Sequence, residues 1–171
     1  MNGYFYVLTS IDIFVLGFMC VLTKLSESLN QKQKRGFLFA FGLIAFISLL
    51  EVVTLKVDGL PIKYRWLNII SNYLGFGLTP SVCICLVYVL DKKMKLKWEL
   101  KIAILCEIIY LLILGFSIPF GWVFSVSQSN IYSRGPYFFI YIFAYFLSIL
   151  YLSLSTIIVS KQFQARHWFI R

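Results

Sequence analysis

The chain has 171 residues, of which 60% are hydrophobic, 19% aromatic and only 13% charged. A water-soluble domain of this size cannot hide so much apolar surface, which excludes an ordinary soluble enzyme and places the chain in the membrane class. The formal net charge of +9 does not call for nucleic acid, because the basic residues gather in the connections between apolar runs, where a membrane topology signal belongs.

The first apolar run covers residues 4–22. No basic segment precedes it and Asp12 lies inside it, so it reads as a retained span rather than a cleavable signal. A polar linker with Lys24, Lys32, Lys34 and Arg35 leads to a second run, 36–54. The third, 66–90, has no charged residue from Trp66 to Leu90, and its length of about 37 Å exceeds a hydrocarbon core of about 30 Å. Its polar and small residues fall on one stripe: Asn68, Asn72, Gly75, Thr79 and Cys83. In lipid such a stripe faces other helices or a cavity. Pro80 removes one backbone donor from this helix, tolerable where a neighbour or water satisfies the freed carbonyl. A cluster of Lys92, Lys93, Lys95, Lys97 and Lys101 precedes the fourth run, 102–118, and the fifth is 136–160. The expected fold is therefore all-α: a polytopic membrane bundle of five transmembrane helices, one domain over 1–171, with no soluble domain.

The connections after the first and third runs, with the C-terminal tail, hold twelve of the sixteen basic residues. The positive-inside rule then puts the N-terminus outside and the C-terminus inside. The four cysteines, Cys20, Cys83, Cys85 and Cys106, lie in apolar runs and read as reduced, buried residues. His167 is the only histidine, so no triad or histidine-based metal site can be assembled. Gly75-Phe76-Gly77 lies inside a membrane run and reads as a packing or kink feature, not a phosphate loop. No metal, cofactor or catalytic residue is expected.

With alternating chain direction, Glu51, Asn68, Asn72, Tyr137 and Tyr141 all fall near the outer surface. Tyr137, Tyr141, Ala144, Ser148, Tyr151 and Ser155 make a second stripe on the fifth run, able to face the Asn72 stripe across an outward-opening pocket. The five residues at the outer level are the candidate ligand contacts. Tyrosines at that level also serve as an interfacial belt, and asparagines as glue between helices. Asp12 and Glu107 lie near mid-depth, where an ionised carboxylate costs at least about 2.5 kcal/mol unless a partner or a proton neutralises it. Glu107 and Tyr110 share a face, and these three residues are the candidate coupling or relay groups. The connection 119–135 is unusually apolar for a loop. It is expected to fold down as a cap, with WVFSVSQS permitting a strand or hairpin, and Gly135-Pro136 opening the last helix.

Two segments, WLNIISNYLGFGLTPSVCICLVYVLD at 66–91 and NIYSRGPYFFIYIFAY at 130–145, resemble the N-terminal seven-transmembrane sensor region of bacterial histidine kinases and related membrane-bound diguanylate cyclases. The resemblance covers about a quarter of the chain, and the order of the five spans agrees with it. It implies a bacterial cytoplasmic-membrane location and a signal-transduction role. That family has two further spans and a cytoplasmic catalytic or phosphotransfer domain. Residues 1–171 contain neither, which fits an excised piece, a truncated product or a free-standing relative that signals through a partner.

The functional expectation is a non-enzymatic membrane sensor or input module that takes a small-molecule ligand or senses membrane state in the outer half of the bundle. Its partners would be the lipid bilayer, a cytoplasmic signalling domain or protein, and in one arrangement a second copy of itself as a homodimer. Two alternatives stay open: a small transporter subunit or half-transporter using the intramembrane carboxylates, and an accessory membrane assembly subunit.

Overall fold

The computed structural model describes residues 2–90 and 97–168, with side chains at 4–90 and 97–160. Asp91, Lys92, Lys93 and Lys95, and the side chain of His167, lie outside the described residues. Five helices are long and apolar enough to cross a membrane. They are α1 (Asn2–Leu25), α2 (Gln31–Val57), α3 (Arg65–Leu90), α4 (Lys97–Phe120) and α5 (Phe139–Trp168), with a small antiparallel hairpin of β1 (Phe124–Val126) and β2 (Tyr132–Arg134) between α4 and α5.

Local chemistry fixes the helix ends. α2 starts five residues before its apolar run because Asn30 and Gln33 form a capping box: Gln33 N donates to Asn30 Oδ1 at 2.9 Å, and Asn30 N donates to Gln33 Oε1 at 3.4 Å. Asp58 ends α2 in an extended conformation, and Gly59 follows at φ +74°, where a side chain would be strained. A single 3-10 turn, Ile62–Tyr64, then leads directly into α3. Gly121, at φ +65°, terminates α4. Gly135-Pro136 does not open α5, as the sequence suggests. Residues 136–138 form a turn in which Phe138 N donates to Gly135 O at 3.2 Å, and the helix begins at Phe139.

α3 is the central element. It packs against α2, α4, α5 and β1, whereas α1 rests on α2. Close approach is built into two glycines: a Cβ at Gly36 would collide with the Val89 side chain between α2 and α3, and one at Gly77 with Leu111 between α3 and α4. The connection 119–135 does fold down as a cap. Val123, Phe124 and Val126 are buried against Ile69, Tyr110 and Leu114. The fully buried Ser117 hydroxyl accepts from Val123 N at 2.7 Å and Phe124 N at 3.0 Å and donates to Phe124 O. This cluster lies at the hairpin end of the bundle, while Ala40, Val87 and Val89 are buried toward the other end of the α2–α3 pair.

The proline in α3 has its defect repaired. Pro80 has no N–H to give the carbonyl of Phe76, and the Tyr110 hydroxyl on α4 donates to that oxygen instead, at 3.1 Å. Along the rest of their length the helices turn apolar side chains outward, among them Phe14, Phe39, Ile102, Leu112, Phe143 and Phe146. The four cysteines are free, but only Cys83 is buried as the sequence suggests; Cys20 and Cys85 are half-buried and Cys106 faces outward from α4.

Candidate functional site

At the hairpin end, where α2, α3, β2 and α5 meet, a cavity of about 440 Å³ is lined by Glu51, Thr54, Leu55 and Asp58 of α2 and its cap, Ser71, Asn72, Gly75, Phe76 and Thr79 of α3, Tyr132 and Arg134 of β2, and Phe138 and Tyr141 of α5. Phe5 of α1 closes one side. The helical spacing of Asn72, Gly75, Phe76 and Thr79 presents them together, and the single glycine leaves room: nothing lies within 4 Å of the position its Cβ would take.

The wall is aromatic. The Phe76 ring has its centroid 4.8 Å from Tyr141, 5.7 Å from Phe124, 5.8 Å from Phe138 and 6.3 Å from Tyr132. These tilted and edge-on contacts match the preferred geometry of ring quadrupoles. The Tyr141 hydroxyl lies within hydrogen-bonding reach of Thr79 and within electrostatic range of Glu51. Burial pushes the Tyr132 phenol above its ordinary range, with Arg134 partly opposing the shift, so the phenol is neutral under any physiological condition.

Beneath the cavity lies an amide network in which the Nδ2 donors of Asn68, Asn72 and Asn130 are all engaged. Asn68 is 0% exposed. Its Nδ2 donates to Asn130 Oδ1 at 3.0 Å and to Asp58 Oδ1 at 3.3 Å, and its Oδ1 accepts from Asn72 Nδ2 at 2.8 Å. Asn72 Nδ2 also donates to Asn68 O at 2.9 Å. A carbonyl can only accept, which fixes the orientation of the Asn72 amide and leaves its Oδ1 without a partner among the described residues. Asn130 carries the hairpin: it adopts φ +58°, a conformation Asn tolerates better than most residues, and its Nδ2 donates to Val57 O at 2.6 Å and Leu60 O at 3.0 Å. Asp58 Oδ1 accepts from Tyr132 N at 2.7 Å, and the Arg65 guanidinium donates to Val126 O and Ser127 O. The cap is therefore tied to the α2–α3 connection by charge-assisted and buried hydrogen bonds.

Of the residues expected from sequence, Glu51, Asn72 and Tyr141 line this one cavity from three helices. Asn68 lies below it with its amide engaged, a structural position rather than a contact surface. Tyr137 is 48% exposed, packs edge-on against Phe139 and lies off the cavity. It precedes the first turn of α5, because that helix begins at Phe139. Asp12 is exposed on α1, with its charge acting on Glu51. Glu107 is at the α3–α4 contact, where Ser81 donates to its Oε1 at 2.6 Å, and Tyr110 is spent on the Phe76 carbonyl. Glu107 and Tyr110 thus join α4 to α3 and do not line the cavity. The roles of Asp58, Ser71, Arg65 and Asn130 leave no specific signal in the sequence. Asp58-Gly59 is a turn signal, and Asn130 closes a polar SQSN turn, but neither pattern specifies a partner some seventy residues away.

No protein-family model, curated protein or solved structure matches this chain.

Proposed function

We propose that the chain is a non-enzymatic, membrane-embedded input module that binds a small molecule in the hairpin-end cavity, with that end outside the cell and the lysine-rich connections in the cytoplasm. The observation that carries this reading is the convergence of Glu51, Asn72 and Tyr141 on one aromatic-walled cavity. Membrane insertion is supported by five helices of spanning length and by the outward-facing Phe14, Phe39, Ile102 and Phe146, which water would solvate poorly. The charge asymmetry supports the orientation. The likeness of 66–91 and 130–145 to the sensor region of bacterial histidine kinases and diguanylate cyclases supports a signalling role, and it rests on those residues alone.

Binding must favour one helix arrangement over another for a signal to leave the site. The path the geometry offers runs from the Phe76 ring in the cavity wall through its own carbonyl to Tyr110, and so to α4. Glu107 and Ser81 make a second α3–α4 tie. The test is a small-molecule thermal-shift screen on the full chain in detergent, repeated on Gly75→Leu, which projects a side chain into open space in the cavity. Compounds that stabilise the wild type and not Gly75→Leu support the reading. Stabilisation that is the same in both argues against it.

A further inference from the structure

Resting on the binding reading above, we infer that the cavity is specific for an organic ammonium, a protonated amine carried on an aromatic or short apolar body. The chemistry of the lining decides this: the Asn72 amide has spent its donors, while the oxygens of Asn72 and Glu51 are open. Asn72 spends Nδ2 on Asn68 O and Oδ1, and its own Oδ1 accepts nothing. Glu51 has neither a hydrogen bond nor an ion pair among the described residues, and the charge that acts on it is the like charge of Asp12. The Ser71 hydroxyl, able to accept as well as donate, also lines the cavity and has no hydrogen-bond partner among the described residues, although the residue is only 2% exposed.

An anion fits poorly. The one cationic group in the lining is Arg134, whose guanidinium carbon stacks 4.7 Å over the Phe138 ring and which hydrogen-bonds Tyr132. An anion placed there would also meet Glu51 and Asp58 across the cavity. A neutral guest gains nothing from the charge of Glu51, which a proton neutralises when no cation is bound. An ammonium supplies three donors and the missing positive charge, and the faces of Phe76 and Tyr141 offer it cation–π contacts while the rest of the aromatic wall takes its apolar body. Such a group comes either from a free amine or from the headgroup of an aminolipid entering from the outer leaflet.

The test uses the full chain in maltoside micelles, which carry no charge, with fluorine NMR of three probes of matched shape: para-fluorophenethylammonium, the corresponding neutral alcohol and the corresponding carboxylate. Empty micelles report partitioning. The ammonium is expected to bind at least about tenfold more tightly than the alcohol, the worth of one charge-assisted hydrogen bond. Glu51→Gln should bring the ratio of ammonium to alcohol affinity down to about one, and Gly75→Leu should abolish binding of both. Displacement of the probe by phosphatidylethanolamine and not by phosphatidylglycerol identifies a lipid headgroup as the source, and displacement by neither identifies a free amine. If the alcohol or carboxylate binds as well as the ammonium in a Gly75-sensitive manner, or if Glu51→Gln keeps the preference, the ammonium assignment is overturned and the cavity stands as a binding site. If no probe shows Gly75-sensitive binding, both fall.

Discussion

Tyr110 and Pro80 should be energetically coupled although they lie on different helices. Removing the Tyr110 hydroxyl leaves the Phe76 carbonyl without a donor, because Pro80 cannot supply the N–H that an ordinary helix would place there. Tyr110 is 6% exposed, so water cannot readily take over. A buried unsatisfied carbonyl costs about 1–3 kcal/mol in general, but hydrogen bonds between membrane helices reach only about 1.7 kcal/mol at most, so Tyr110→Phe should cost about 1–2 kcal/mol. In a Pro80→Ala background the restored Ala N–H donates to Phe76 O, and the same Tyr110→Phe change should then cost under about 0.5 kcal/mol. Equilibrium unfolding in mixed micelles, run on the wild type, both single variants and the double variant, measures the coupling. A coupling within error of zero would refute the repair argument.

Other expectations follow from the cap and the helix contacts. Asn130→Ala loses two buried donors and a tolerated left-handed conformation, and should destabilise by more than about 2 kcal/mol; Asn130→Gly should recover part of that loss, as read by protease sensitivity of residues 121–138. Asn30→Ala should cost about 1 kcal/mol through loss of the capping box, measured by thermal unfolding. Gly36→Ala should destabilise by about 1–3 kcal/mol through collision with Val89, and Val89→Ala should relieve most of it in the double variant. In a cysteine-free background, Ser129→Cys in the hairpin turn should react with an impermeant maleimide on intact cells and Ser28→Cys should not; the reverse pattern would invert the orientation.

The helices were legible because an unbroken apolar run of spanning length has few other readings, and each of the five runs falls on one of α1 to α5, with ends that differ by up to eight residues. The ends were less so. α2 begins earlier because Asn30 and Gln33 cap it, a signal present in the sequence, while α5 begins later because Gly135-Pro136 serves a turn. The polar stripe on α3 foreshadowed its central place, and Pro80 foreshadowed a replacement donor without naming Tyr110. Helical periodicity gave the face on which Asn68 and Asn72 lie but could not divide their work. That division depends on Asp58 and Asn130, which long-range folding brings alongside. Tyr137 shares the stripe by spacing, yet it precedes α5 and so does not follow that helix's periodicity. The cap's apolar alternation showed in the sequence as a strand signal, but its attachment through Arg65 and Ser117 did not, because one side chain bonding distant backbone leaves no periodic trace.

Substituted-cysteine accessibility on the cysteine-free full chain tests the water-reachable cavity most directly. With a small polar methanethiosulfonate applied from the hairpin side, Tyr141→Cys in the cavity wall should react and its outward-facing neighbour Ile142→Cys should not, and adding Gly75→Leu should suppress the Tyr141→Cys reaction. An inert Tyr141→Cys, or one that reacts equally with the cavity filled, would contradict the account.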